Sequence, residues 1–462
     1  MTSLSSASGP LTRPSATAIR LFMLAAATFT FVTTEIQPVA LLSPMAHGLS
    51  VSESSVGLLM TAYAGAAALT AIPLTVLASR VPRRRLVIVT VGMLVISQLV
   101  LALAPDYAVA LGARLFGALA HGVFWSVVAQ VAASLVPRDR LGRATAAAFA
   151  GNSVALVIGA PLVSALGAIA GWREAVGVMG VLALLVVLGM ARVLPEIDAP
   201  APDPDRRALV SAALRHRGVM IVCAVTVLLA FGQFVAFTYL APIVREHTGL
   251  TGTGLSAVLL GYGVAGVVAF ARLGAIADRQ PRAALLSCCA LIVTGLAVMV
   301  VVADGTVPFI LATLAWGAGF TALPIFLQSA VLRVAPEIAD TASSVYVVAF
   351  QIGIGGGALA GSGLLGSGHL RAIPQLALVL FVAGSAVAAT ARRTFGADAV
   401  PTQPRPARPP RRARRPYRHH LLGAGPRRSA SRARGAASQG SQEKTSRTSV
   451  TADPTDQVEL AD

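Results

Sequence analysis

The chain has 462 residues, of which 55% are hydrophobic and 12% are charged, and its mean hydropathy is +0.73. A soluble domain has about a quarter charged residues, and a disordered chain has low hydrophobicity, so this composition excludes both for most of the sequence. The net charge of +17 prompts a nucleic-acid interpretation, but +9 of it lies in the tail from Arg392 to Asp462. We therefore expect no nucleic-acid partner.

Twelve runs of apolar residues lie between Arg20 and Arg392. A helix of about 20 residues crosses a hydrocarbon core of about 30 Å, and each run is near this length or longer. They lie near 20–43, 54–78, 86–104, 107–136, 144–169, 173–193, 218–243, 253–277, 283–303, 306–333, 339–366 and 372–391. The runs are continuous rather than alternating, so each must satisfy its backbone hydrogen bonds within a helix. The sequence predicts an all-α polytopic membrane protein with twelve transmembrane helices.

Arginine is distributed unequally between the two sides of the predicted bundle. With the N-terminus inside, the inner connections before the tail hold eighteen Arg residues, and the outer connections hold Arg173, Arg245 and Arg371. Positively charged connections stay on the cytoplasmic side, so we expect both termini in the cytoplasm. The predicted parts are a cytoplasmic arm, a six-helix bundle, a cytoplasmic central loop, a second six-helix bundle and a disordered Arg/Pro/Ser-rich tail, at 1–17, 18–193, 194–217, 218–392 and 393–462.

The two halves of the sequence share features at a constant offset. At 199 residues the matched pairs are Ser79–Arg83 with Asp278–Arg282, Pro137 with Pro336, and Asn152 with Gln351. At 204 residues, Thr34 and Pro38 match Thr238 and Pro242. This pattern indicates duplication and predicts two pseudo-symmetric bundles, related by an axis along the membrane normal, with a cavity between them.

Two connections carry a recognisable motif. They read Thr75-x-x-x-Ser79-Arg80-Val81-Pro82-Arg83-Arg84 and Gly274-x-x-x-Asp278-Arg279-x-Pro281-Arg282. Both resemble the signature Gly-x-x-x-Asp-Arg-x-Gly-Arg-Arg of the major facilitator superfamily, and the likeness covers about residues 15–392. Further stretches resemble the bacterial drug:proton and sugar-efflux exporters of that family, namely Thr34–Pro38, Ala120–Trp125, Gly159–Pro161 and Gly171–Arg173. The resemblance implies an inner-membrane exporter whose bundles rock about a central site and exchange small organic molecules for protons.

The sharpest signals among the ionisable residues of the predicted spans are Glu35, Arg114 and His121. An ionisable group at such a depth normally faces protein or a water-filled cavity. With a rise of about 1.5 Å per residue, Glu35 lies about 8 Å and Arg114 about 12 Å below the outer edge of the core, so the two could pair. The resemblance links Arg114 to proton transfer.

These three residues are the predicted proton-coupling groups. Protonation of Glu35 in a low-dielectric site depends on a neighbouring cation, which ties it to helix position. The alternatives are a permanent Glu35–Arg114 ion pair and a Glu35 side chain that extends to the outer interface. His121 shares the helical face of Arg114 and relays protons, binds substrate or hydrogen-bonds a neighbour.

Aromatic and uncharged polar residues of the spans are predicted to line a substrate cavity, with helix packing as the alternative role for each. They are Thr34, Pro38, Phe124, Trp125, Asn152, Gln233, Tyr239, Gln328 and Gln351. For the two signature connections the resemblance implies a cytoplasmic gate, formed by Ser79, Arg80, Arg83, Asp278, Arg279 and Arg282. Ser79 stands where the family has Asp, so we expect a weakened inner gate.

Other chemistries lack the sequence features that they need. The chain has no Gly-x-x-x-x-Gly-Lys-Ser/Thr segment, and its single lysine, Lys444, lies in the tail, so ATP is excluded as the energy source. The cysteines lack metal-ligand spacing, and we expect no cofactor, no metal and no enzymatic activity. The expected partners are a small-molecule substrate, protons and the lipid bilayer, with a monomeric chain. A uniporter or uptake permease and a non-transporting membrane sensor remain alternative functions.

Overall fold

The computed structural model describes residues 15–137, 140–198, 206–277, 279–301 and 305–396. Within these ranges the chain forms α-helices and no strands. The helices are α1 Ala16–Ala40, α2 Leu42–Gly48, α3 Glu53–Leu77, α4 Arg83–Ala102, α5 Tyr107–Ser134, α6 Leu141–Val154, α7 Ala160–Ile169, α8 Trp172–Val193, α9 Arg206–Arg215, α10 Arg217–Phe237, α11 Leu240–Thr248, α12 Gly252–Ala277, α13 Pro281–Val301, α14 Thr306–Phe320, α15 Leu323–Val334, α16 Ala339–Gly366, α17 Ala372–Thr390 and α18 Arg392–Phe395. Ala155–Gly159 form a π-helical turn between α6 and α7.

Twelve segments of the described chain are long and apolar enough to cross a membrane, which confirms the predicted number of spans. The pairs α6 with α7 and α14 with α15 each make one span, joined by an irregular turn. Large apolar side chains face outward along these segments, such as Leu69 and Val379, which are 79% and 63% exposed. An outer surface of this kind is stable only in contact with lipid.

Polar side chains and glycines define several helix ends. Ser52 and Asp106 precede α3 and α5, and their side chains accept hydrogen bonds from Ser55 N and Val109 N. These oxygens satisfy backbone donors that have no partner within the helix. Gly249 ends α11 at φ 69°, a conformation that glycine adopts without a steric cost.

Four prolines coincide with irregularities in the spans. They are Pro38 near the end of α1, Pro161 after the π-helical turn, Pro242 after the break between α10 and α11, and Pro324 after the break between α14 and α15. Proline lacks the N–H that would bind the carbonyl four residues earlier, so the helix bends or ends nearby. The break at Pro242 explains why the predicted seventh span, 218–243, ends at Phe237 in the structure.

Two short helices lie in segments that were predicted to be a loop and a disordered tail. The central loop predicted at 194–217 contains α9, which packs against α10 and α16. The tail predicted to be disordered from 393 begins with α18, where the side chain of Phe395 is buried. The remainder of the tail after 396 and the arm before 15 lie outside the described residues.

The two halves of the fold meet along α3 against α16 and along α7 against α12. A Cβ atom at Gly263 of α12 would lie 2.6 Å from the Cα of Val157, so only glycine allows this approach of the two backbones. Ser256 Oγ donates to Ser164 Oγ at 2.9 Å, and Ser362 Oγ donates to the carbonyl of Ser54 at 2.9 Å. Close backbones and hydroxyl hydrogen bonds are the usual means of joining membrane helices.

Candidate transport site

A cavity of about 2220 Å³ lies between the two halves. Its lining includes Glu35, His121 and Gln351, and it extends to Arg80, which follows α3, and to Leu209 of α9. We call the side of the protein where Arg80 and Leu209 line the cavity the Arg80 end. The opposite side, where Glu53 begins α3 and contacts Arg245, is the Arg245 end. The 25 residues of α3 separate the two ends by about 37 Å.

The cavity wall combines aromatic and polar side chains. Trp125 and Phe149 of the first half have ring centroids 5.6 Å apart. In the second half, Phe234 packs edge to face against Phe320 and Phe350 at 6.2 Å and 6.3 Å. The polar lining residues include Ser126, Gln130, Asn152, Ser153, Gln328, Ser329, Ser343 and Ser344. Such a wall accommodates molecules that have both an apolar body and hydrogen-bonding groups.

The predicted cavity residues separate into two groups. Trp125, Asn152, Gln328 and Gln351 line the cavity. Thr34, Pro38, Phe124, Gln233 and Tyr239 do not line it. Hydropathy gives the depth of a residue but not the direction in which its side chain points, so the sequence could not separate these groups.

These five residues are buried and do not reach the cavity surface in this conformation. Phe124 stacks on Phe31 with ring centroids 3.9 Å apart. Gln233 joins three helices, because its Nε2 donates to the Tyr262 hydroxyl at 2.8 Å and its Oε1 accepts from the Trp316 indole at 2.7 Å. The Tyr239 hydroxyl donates to the backbone carbonyl of Ala358 at 2.8 Å. These contacts join helices, and they use the polar groups that the sequence assigned to substrate.

Arg114 does not form the ion pair with the Glu35 side chain that was one of the predicted alternatives. Its guanidinium donates to the backbone carbonyls of Thr34 and Glu35, at 2.7 Å from Nη1 and 2.9 Å from Nη2. The ion pairs of the described residues include none between Arg114 and the Glu35 carboxylate. Pro38 lies four residues after Thr34 and cannot donate to its carbonyl, so Arg114 supplies the missing donor. This arrangement also accounts for the burial of Arg114, which is 1% exposed.

The Glu35 carboxylate instead meets His121 and Gln351. Its Oε1 accepts from Gln351 Nε2 at 3.0 Å, and its Oε2 lies 3.9 Å from His121 Nδ1. Gln351 Nε2 also lies 2.6 Å from His121 Nε2. Gln351 belongs to the second half, whereas the two titratable side chains belong to the first. We call these three residues the inter-half bridge.

Tyr63 completes the surroundings of His121 and was not predicted as a site residue. Its hydroxyl lies 3.2 Å from His121 Nδ1, and its ring lies 4.3 Å beneath the guanidinium carbon of Arg114. Tyr63 is the only aromatic residue in the sequence between 53 and 80, which is the one signal that could have drawn attention to it.

The Arg245 end is closed by polar contacts between the halves. Arg245 of α11 forms a bidentate ion pair with Glu53 of α3, with N···O distances of 3.0 Å and 3.1 Å. Ser43 accepts from Arg245 Nη1 at 2.9 Å and donates to Glu53 Oε1 at 2.5 Å. From the sequence, Arg245 was predicted only to lie in an outer connection, and neither Glu53 nor Ser43 was a predicted site residue.

The predicted gate residues that the structure describes have different surroundings. Three of them line the cavity towards the Arg80 end: Ser79, Arg80 and Arg83. Arg279 is exposed, and Asp278 lies outside the described residues. Arg282 Nη2 donates to the carbonyl of Ala389 at 2.5 Å, near the C-terminal end of α17, where a cation is favoured by the helix dipole. Arg282 therefore contacts its own half of the fold in this conformation.

Twelve membrane-spanning helices in two related halves, with a cavity between them that reaches one end, define a membrane transporter of small molecules. The chain belongs to the Major Facilitator Superfamily, whose sequence model matches residues 22–358, and this confirms the resemblance. The family consists of transporters rather than enzymes.

Relatives and solved structures agree with this assignment. The chain is 38% identical over 374 residues to a chloramphenicol efflux pump of Mycobacterium tuberculosis, covering 79% of this chain and 90% of the relative. It is 34% identical over 365 residues to a probable sugar efflux transporter of Mannheimia succiniciproducens, covering 77% and 90%. A bacterial homolog of the human lysosomal transporter Spinster, in an inward-facing unoccupied conformation, has a TM-score of 0.63 at 16% identity, covering 83% of this chain and 98% of that one. A nucleoside transporter has a TM-score of 0.64 at 12% identity, covering 82% and 100%.

Proposed function

We propose that this transporter exports small amphipathic molecules across the bacterial inner membrane in exchange for protons, by alternating access to the central cavity. The observation that carries the proposal is the inter-half bridge, in which two titratable side chains of one half meet an amide of the other at the cavity surface. Proton binding at this position acts directly on the contact between the moving parts.

The coupling follows from the hydrogen-bonding properties of the bridge. An ionised Glu35 accepts from Gln351 Nε2 as a charge-assisted bond, which contributes about 1.5–3 kcal/mol. Protonation removes the negative charge and weakens this bond. The free-energy difference between conformations in which the halves meet here and those in which they separate therefore changes with protonation. Coupling of a proton gradient to alternating access requires such a difference.

The orientation of the chain and the open end of the cavity support the proposed direction of transport. The excess of arginine in the inner connections assigns the Arg80 end to the cytoplasm, with both termini on that side. The cavity reaches that end, whereas Glu53 and Arg245 join the halves at the opposite end. This conformation admits a substrate from the cytoplasm. Separation at the Arg245 end, with closure around Ser79 and Arg80, would release it outside.

The substrate class follows from the lining of the cavity and from the relatives. Chloramphenicol, which appears in the name of the mycobacterial relative, combines an aromatic ring with hydroxyl and amide groups. Trp125, Phe149 and Phe350 provide apolar surfaces for a ring, and Asn152 and Gln328 provide polar groups. Sugars are the second candidate, because the polar lining residues suit several hydroxyl groups and other relatives are named as probable sugar efflux transporters.

The test uses inside-out membrane vesicles with an acidic lumen and labelled chloramphenicol or arabinose. For exchange of one proton per substrate, each unit of pH difference supports about tenfold accumulation. We expect the wild type to accumulate at least one compound, and Glu35→Gln to abolish accumulation while keeping counterflow at equal pH. Glu246→Gln is the matched control, because Glu246 is exposed on α11. Accumulation that does not depend on the pH gradient, or that persists in Glu35→Gln, would contradict proton coupling and favour a uniporter.

A further inference from the structure

Tyr63 occupies a position that connects the buried arginine with the inter-half bridge. It belongs to α3, and its side chain is 2% exposed. The hydroxyl faces His121 Nδ1 at 3.2 Å, the tyrosine and imidazole rings are nearly perpendicular at 89°, and the Arg114 guanidinium stacks on the ring. Helix packing alone would need the ring but not a hydroxyl directed at a titratable nitrogen.

The contacts of Gln351 determine which nitrogen of His121 carries the proton. Gln351 Nε2 is a donor, and it directs its two hydrogens to Glu35 Oε1 and His121 Nε2, while its Oε1 has no hydrogen-bond partner. His121 Nε2 must therefore be an acceptor. The proton of the neutral imidazole then resides on Nδ1, which donates to the hydroxyl oxygen of Tyr63.

We infer that Tyr63 is a positioning residue that holds His121 with its proton on Nδ1, so that an incoming proton binds Nε2 at the interface between the halves. The inference rests on the proposed proton-coupled transport. A proton that binds Nε2 from cavity water turns this nitrogen from an acceptor into a donor. Gln351 Nε2 then loses one of its two acceptors, which weakens the contact between the halves, while the bond from Nδ1 to Tyr63 remains.

The groups around His121 support this assignment. The charged neighbours of His121 are Glu35 of α1 and Arg114 of its own helix, α5. The hydroxyl neighbour is Tyr63 of α3, and α16 contributes the uncharged amide of Gln351. Without the tyrosine hydroxyl, either nitrogen of the neutral ring can carry the proton. An incoming proton could then occupy Nδ1 and leave the bond to Gln351 intact, which would uncouple protonation from the movement of the halves.

The first experiment compares Tyr63→Phe with Tyr107→Phe in the vesicle assay. Both changes remove one hydroxyl and keep the ring, but the Tyr107 hydroxyl donates to the backbone carbonyl of Ser55. We expect Tyr63→Phe to keep counterflow at equal pH within twofold of the wild type, to lose at least tenfold in gradient-driven accumulation, and to shift the pH profile of exchange by about one unit to lower pH. The shift has this sign because Nδ1 forms a stronger hydrogen bond to the Tyr63 hydroxyl when the ring is charged than when it is neutral, and a difference of about 1 kcal/mol corresponds to a little less than one pH unit. An unchanged profile and accumulation in Tyr63→Phe would overturn the inference.

A second measurement separates this inference from the proposed function. The ¹⁵N shifts of the His121 ring, identified as the signals lost in His121→Gln, report the tautomer directly. We expect a protonated Nδ1 in the wild type and in Tyr107→Phe, and a mixture of tautomers in Tyr63→Phe. A proton on Nε2 in the wild type, or no change in Tyr63→Phe, would refute the positioning role even if transport is proton-coupled. The expected tautomers without gradient-driven transport would instead refute the proposed function.

Discussion

The ion pair at the Arg245 end allows a quantitative test of alternating access. The guanidinium of Arg245 and the carboxylate of Glu53 are 42% and 21% exposed, so solvent screens their attraction. An exposed pair contributes up to about 1 kcal/mol, and the bidentate geometry with Ser43 as a third partner supports the upper part of that range. Loss of about 1 kcal/mol changes the ratio of conformations closed and open at this end about fivefold.

The assay measures distances between spin labels on cysteines placed at His47 and Thr251, which are exposed in opposite halves at this end. We expect Glu53→Gln to increase the ratio of the long to the short distance about fivefold, and Glu53→Gln combined with Arg245→Gln to add little further, because the two residues act as a pair. Glu196→Gln is the matched control, since Glu196 pairs with Arg84 inside the first half at 2.7 Å. An equal effect of the control, or additive effects of the Glu53 and Arg245 substitutions, would refute the conclusion that this ion pair holds the Arg245 end closed.

Two further predictions concern buried and cavity-lining groups of the first half. Arg114→Lys should lower the melting temperature in detergent, because lysine has one nitrogen on a shorter side chain in place of the two nitrogens that bind the carbonyls of Thr34 and Glu35. Loss of the bond to Thr34 leaves a buried carbonyl unpaired, which costs about 1–3 kcal/mol; an unchanged melting temperature would show that the guanidinium does not support the bend of α1. Ser79→Asp should slow exchange, because a carboxylate next to Arg80 at the cavity entrance restores the acidic residue that the family signature contains; normal counterflow rates in this variant would remove Ser79 from the gate.

The number and limits of the spans were predictable because lipid imposes a strong constraint on sequence. Each helix must be apolar over the thickness of the bilayer, and an interruption such as 194–217 is visible in the composition. The observed limits differ from the predicted ones where other forces act. The seventh span ends early because Pro242 breaks it, and α18 is ordered because Phe395 is buried against neighbouring helices.

The internal duplication was also evident, but it did not predict where the charged groups would lie. The position equivalent to Arg114 at an offset of 199 is Thr313, whose hydroxyl donates within its own helix to Phe309. The position equivalent to Glu35 at an offset of 204 is Tyr239, which joins helices at the Arg245 side. The halves therefore share the arrangement of their helices but differ in the side chains at equivalent positions.

The residue pattern alone predicts twelve membrane spans, two related halves and the depths of Glu35, Arg114 and His121, where a charge needs a partner. The packing of the helices sets the partners of these three groups. Depth along a helix follows from counting residues, but the partner of a side chain depends on the rotation of its helix and on which neighbour faces it. Arg114 therefore binds the carbonyl left free by Pro38, and Glu35 meets Gln351, which lies 316 residues later in the chain.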